Sequence, residues 1–168
     1  METRFKLLGH PVHPMLIVFP LGLLSTAVIF DLLYWATGEE GLATFAFWAI
    51  AAGVVGGFAA ALFGLWDWLA IPGETRAKRI GLWHGGGNVV VTGLFAVSWL
   101  LRLEDPTYLP DNLAPLLLGV AGAALAMVTA WLGGELVYRL RVGVDDGANL
   151  DAASSLSDSG AAEVKRPT

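Results

Sequence analysis

Polar and charged residues in this chain gather in short breaks between four long apolar runs, at about residues 14–35, 42–69, 82–101 and 113–138. Each run approaches or exceeds the roughly 20 residues a helix needs to cross the hydrocarbon core of a bilayer. No charged residue falls between Gly41 and Trp66, between Ile80 and Leu101, or between Leu113 and Gly134. A surface helix of a soluble protein would carry a polar face at the helical period, and none is visible here. The breaks run from Thr37 to Gly41, from Pro72 to Arg79 and from Glu104 to Asn112. Such short connections imply antiparallel neighbours. The pattern predicts an all-α, integral membrane four-helix bundle occupying residues 1–144.

Basic residues orient the bundle, because Lys and Arg near span ends stay on the cytoplasmic side. Arg4 and Lys6 precede the first run, Arg76, Lys78 and Arg79 separate the second and third, and Arg139 and Arg141 follow the fourth. Arg102 alone falls on the other side. Both termini are therefore expected to be cytoplasmic, in the bacterial inner (cell) membrane, with the first run kept as a helix and not cleaved as a signal peptide. From Asp145 the chain turns to Asp, Ala, Ser and Gly, which bury too little surface to fold. Residues 145–168 are expected to form a disordered acidic tail.

Composition agrees: 55% hydrophobic residues, 15% charged and a mean hydropathy of +0.62 place the chain among membrane proteins. Much of the acidity behind the net charge of −5 lies in the tail, and nothing suggests a nucleic-acid partner. The lipid is the one partner the pattern demands. There is no cysteine, so a metal or haem would have to be held by His, carboxylate, carbonyl or Met groups.

Small residues recur at helical steps along two runs. Gly53, Gly57, Ala60 and Gly64 form a stripe that lets a neighbouring backbone approach and carries Asp67 inward. In the fourth run Gly119, Ala123, Ala126, Ala130 and Gly134 form a comparable stripe, with Glu135 one position off it. Pro20 deprives the Leu16 carbonyl of its helical partner, so a bend or a polar contact is expected there. A weak internal repeat is also readable: each half is a histidine-led helix, an outer turn and a helix ending in an acid, His13 with Asp67 and His84 with Glu135. It predicts two parallel hairpins about an axis along the membrane normal.

The candidate chemistry lies at one membrane face. In Gly9-His10-Pro11-Val12-His13-Pro14 the prolines hold both histidines in a stiff lead-in, with Pro14 opening the helix. His84, Asn88 and Thr92 are spaced by four and share a face that should point into the bundle. Gly85, Gly86 and Gly87 leave room for a partner helix or for a planar macrocycle. Asp67, between Trp66 and Trp68, could accept an imidazole N–H and fix its tautomer, or pair with Arg76, Lys78 or Arg79. Asp31, beside Tyr34 and Trp35 at the opposite face, reads most simply as an interfacial residue. The glycine run lacks the Lys-Ser/Thr ending of a phosphate loop.

Four segments together resemble the family called domain of unknown function 2231. They are Gly9 to Pro14 with Phe19-Pro20-Leu21-Gly22 behind it, Asp67-Trp68, Trp83-His84 with Asn88, and Gly133-Gly134-Glu135-Leu136-Val137-Tyr138. The resemblance covers about residues 7–144 and implies small four-helix membrane proteins of bacterial type. Some relatives are joined to Rieske-type iron-sulfur domains, which implies a redox setting and a redox protein partner. Members often carry a histidine shortly after the Tyr of the last motif; here Tyr138 is followed by Arg139, Leu140 and Arg141.

Three functions fit these residues, and whether any is enzymatic stays open. The first is a haem b or transition-metal site near the cytoplasmic face, suited to electron transfer, with His84 and either His13 or His10 as ligands. Asp67 would orient them, Asn88 would line the cofactor site, and a bare metal could draw on His10, His13, His84 and Asp67. The second is a noncatalytic membrane subunit or anchor whose polar cluster is structural, in which a homo-oligomer is also possible. The third, a proton or ion path, suits the chain least because the midplane holds little beyond Thr92.

Overall fold

The computed structural model describes residues 1–104 and 107–157. A two-stranded hairpin, β1 (Lys6–Leu7) and β2 (His10–Pro11), opens the chain. It turns on Leu8 and Gly9, both at positive φ, with Lys6 opposite Pro11 and Leu7 opposite His10. Then come α1 (Val12–Leu16), α2 (Val18–Thr37), α3 (Glu40–Ala70), α4 (Arg76–Leu100) and α5 (Ala114–Gly134), which runs into a π-helical turn at Glu135–Arg139. Counting α1 with α2, four helices among the described residues are long and apolar enough to span a membrane.

The chain enters its first helix two residues earlier than the proline pattern predicts. Val12 and His13 are already helical, and Pro14 occupies the first turn, where a missing N–H has no intrahelical role. The expected irregularity from Pro20 is present: α1 and α2 are separated at Ile17, directly after the Leu16 carbonyl that Pro20 cannot satisfy. Gly38, at φ 74°, closes α2 by donating its N–H to the Tyr34 carbonyl at 2.7 Å. Thr75 caps α4 by accepting the Lys78 N–H at 3.1 Å, so that helix begins well before the apolar run.

α2 packs along α3, and α4 along α5; contacts of α3 with α4 and of α2 with α5 close the ring, leaving α2 and α4 on a diagonal. Leu24, Ala27, Val28, Ala46, Ile50, Val91 and Phe95 form the core. Phe45, Phe58, Leu62, Trp83, Met127 and Trp131 point outward instead, as an apolar solvent demands. The predicted α3 stripe faces inward: a Cβ on Gly53 would strike Leu24 at 2.6 Å, and one on Gly57 would meet Thr92 at 3.3 Å. The α5 stripe differs from expectation beyond its midpoint. The inward set is Gly119, Gly122, Ala126, Thr129 and Gly133, not Ala130 and Gly134, because packed neighbours select a period nearer 3.5 than 3.75 residues.

The two halves are built on one plan. Leu24 fills the space at Gly53, and Phe95 fills the space at Gly122, a Cβ there lying 2.8 Å from its ring. These contacts correspond at fixed intervals in the chain. The weak repeat is therefore a repeat of packing, carried by a few positions whose side chains need not match. The segment expected to lack order runs, from Asp145 to Ser157, as turns against the N-terminal hairpin; Gly143 donates its N–H to the Met1 carbonyl at 2.9 Å. The remainder of that expected tail, 158–168, lies outside the described residues, as do Asp105 and Pro106 of the outer turn.

Candidate functional site: a histidine pair across the bundle

His13 on α1 and His84 on α4 meet across the bundle, their ring centroids 6.5 Å apart and their planes at 89°. Each ring is held in the same way. His13 Nδ1 lies 2.9 Å from the Ala60 carbonyl oxygen, and His84 Nδ1 lies 2.8 Å from that of Thr129. A carbonyl oxygen only accepts, so Nδ1 carries the donated proton in both rings, and Nε2 is the nitrogen left to offer a lone pair. One helical turn beyond each acceptor is a glycine against which the ring lies. A Cβ on Gly64 would fall 2.8 Å from His13 Cε1, and one on Gly133 would fall 3.1 Å from His84 Cε1. The small-residue stripes thus serve as imidazole seats.

Polar support differs between the halves. Asn88 Nδ2 donates to the His84 carbonyl at 2.9 Å and stands 3.4 Å from His84 Nε2, while its Oδ1 accepts the Thr129 hydroxyl at 2.9 Å. Thr92 continues the chain by donating to the Asn88 carbonyl at 2.9 Å. Of the glycines beside His84, Gly87 is closed by Thr129, whose Cγ2 would lie 2.5 Å from an added Cβ. Gly85 and Gly86 face open space outside the bundle. The room they leave is therefore not at the histidine pair.

The other expected members stand apart. His10 lies exposed on the hairpin, with its Nε2 3.2 Å from Ser155 Oγ, so the expected cluster of three histidines is a pair. Among the described residues no three His, Cys, Asp or Glu side chains gather as a metal-holding group. Asp67 is buried as expected, but the hydrogen bond it accepts comes from the Arg4 backbone N–H at 3.2 Å. Carbonyls, which no residue pattern advertises, orient the two rings. Of the cations offered as Asp67 partners, Lys78 sits 3.9 Å over the Trp68 ring and donates to the Trp68 carbonyl, and Arg76 pairs with Glu135 at 2.6 Å. Glu135 thereby belongs to the surface linking α4 to the π turn.

Sequence reasoning missed a second polar pair. Asp31 is not interfacial but 1% exposed, and Arg102 is fully buried. The guanidinium grips the carboxylate through two hydrogen bonds, Nη1 to Oδ1 at 2.8 Å and Nη2 to Oδ2 at 2.5 Å. The signal was available in the repeat. The 71 positions that separate Asp31 from Arg102 also separate His13 from His84, so equivalent positions of the two halves face each other at both ends. His13 and Asp31 are 18 residues apart through α1 and α2, and His84 and Arg102 are 18 apart through α4 and the turn that follows it; at the rise of an α-helix that is about 27 Å, close to the thickness of a bilayer core.

No curated protein and no solved structure matches the chain in sequence or fold. The family model described as predicted membrane protein (DUF2231) matches residues 9–146, a stretch containing both histidines, Asp31, Arg102 and all four spans. The chain belongs to that family of predicted membrane proteins.

Proposed function

We propose that this membrane protein holds a haem-type macrocycle between His13 and His84 and serves as an electron-transfer subunit. The observation that carries the proposal is the paired tautomer: two imidazoles from opposite halves, each with Nδ1–H given to a backbone carbonyl and its lone-pair nitrogen at Nε2. Two opposed imidazoles on one metal, with bonds of about 2 Å, place their ring centroids roughly 6 Å apart. The observed 6.5 Å is close to that separation. A bare metal ion would need further protein ligands, and His10 and Asp67 are committed elsewhere; a macrocycle supplies its own. When bound, such a group would bring one-electron chemistry to the site. The chain's own part is to fix both ring orientations and to surround them with packed apolar side chains. Asn88 would have to release His84 Nε2 for ligation.

The basic residues flanking the spans support a cytoplasmic location for this end of the bundle and for both termini, in a bacterial inner membrane. Arg102 does not oppose this, because its charge is cancelled by Asp31. A redox protein on that side is the partner this reading calls for.

A second reading has one specific observation behind it. Asn88, Thr129 and His84 satisfy one another, as a purely structural latch between halves would require. The spectrum of the detergent-purified protein, with metal analysis before and after dithionite and with added hemin, separates the two. A Soret band lost in His13→Ala and His84→Ala supports the redox subunit. A colourless, metal-free protein that takes up no hemin leaves the structural subunit.

A further inference from the structure

The two histidines are equivalent in the repeat but are mounted differently. His84 lies within α4, an uninterrupted helix of 25 residues. His13 lies on α1, five residues long, joined to α2 through Ile17, where the Leu16 carbonyl lacks the N–H that Pro20 cannot supply. The hairpin is tied to α1, since Val12 donates its N–H to the Phe5 carbonyl at 3.1 Å.

This arm has few polar ties to the bundle. His13 itself gives one to Ala60, and the Arg4 N–H gives another to the buried Asp67 carboxylate. Phe5 adds edge contacts to Phe63 and Trp66, while the segment after the π turn meets the arm at its exposed side, through Met1 with Arg141, Gly143 and Asp146, Lys6 with Asp145, and His10 with Ser155. The repeat supplies a control. The position equivalent to Asp67 in the second half is the buried Leu136 and not Glu135, the acid that the sequence repeat paired with it, because Gly64 and Gly133 correspond as histidine seats; that half has no arm to hold. A carboxylate replaces leucine only where a backbone N–H from the arm must be captured.

We infer that residues 1–16 form a hinged arm that carries His13 into and out of the site, with its hinge at Ile17 and its latch at Asp67. Asp67 is then a positioning residue acting on His13 through Arg4, and the arm is the route by which a cofactor enters between the rings. The consequence for cofactor entry rests on the proposed function; the motion itself does not.

The test uses cofactor-free full-length protein in detergent, with diethyl pyrocarbonate as the probe. Carbethoxylation of each histidine is followed separately by peptide mass spectrometry. Asp67→Ala should raise the rate at His13 roughly tenfold, the scale of a lost hydrogen bond to a charged group, and leave His84 unchanged. Arg4→Pro removes the donated N–H while keeping the carboxylate and should do the same. Pro20→Ala returns a partner to the Leu16 carbonyl and should slow His13. Equal acceleration of His13 and His84, or no change at His13 in the first two variants, overturns the arm. A wild-type protein that never binds hemin instead removes the redox reading and leaves the labelling result standing.

Discussion

Removing one partner of the Asp31–Arg102 pair strands a charge inside the bundle. Arg102 is 0% exposed and Asp31 1%, and the two share a bidentate grip at 2.8 and 2.5 Å. Among the described residues Arg102 Nε has no hydrogen-bond partner, so the carboxylate is the chief compensation for the buried guanidinium. Ser98 Oγ, whose own proton goes to the Pro115 carbonyl at 2.8 Å, accepts a long bond from Arg102 Nη2 at 3.5 Å, but a neutral hydroxyl cannot replace the charge of the carboxylate. Breaking such a pair typically costs about 3–5 kcal/mol, whereas replacing both partners with apolar groups is often neutral. For a chain of this size the loss corresponds to roughly 6–20 °C in Tm. Asp31→Leu and Arg102→Met should therefore each unfold early in a thermal scan of nanodisc-embedded protein, and the double variant should return to within about 1 kcal/mol of wild type. A single variant costing less than about 1 kcal/mol, or a double variant no better than the singles, would refute the account of a dry, mutually compensating pair.

The imidazole seats predict a contrast among glycines. Gly64→Ala and Gly133→Ala push a methyl group into His13 and His84 and should cost about 1–3 kcal/mol each, read by the same thermal scan. Gly86→Ala meets nothing and should be neutral or stabilising by up to about 1 kcal/mol; the reverse order would show that the rings are not seated on these helices. Because the chain has no cysteine, single cysteines can report topology. Glu74→Cys should react with an impermeant maleimide only from the cytoplasmic side and Asp111→Cys only from the other, and the opposite pattern would invert the proposed orientation. At the end of α2, Gly38→Ala forces a side chain onto φ 74° and should lower stability by about 1 kcal/mol in chemical unfolding.

The helices, their number and their apolar solvent are legible in the order of residues alone. Uninterrupted apolar runs of span length allow no other regular structure in a bilayer, where each backbone polar group must be satisfied within its own helix. Helical periodicity alone also places Gly53, Gly57, Ala60, Gly64 and Asp67 on one face, which their small size marks as a face for close packing. Only the tertiary structure decided which polar groups meet. His10 and His13 are three residues apart, yet one faces the exposed tail and the other the bundle, because the hairpin ends between them. Asp31 and Arg102 look like ordinary span-end residues until the diagonal pairing of α2 and α4 brings them together. The partners of both imidazoles are carbonyl oxygens, which every residue possesses, so no side-chain pattern can reveal them. The shift of the α5 stripe from Ala130 and Gly134 to Thr129 and Gly133 has the same origin. A helix alone permits either face, and the neighbour packed against it selects one.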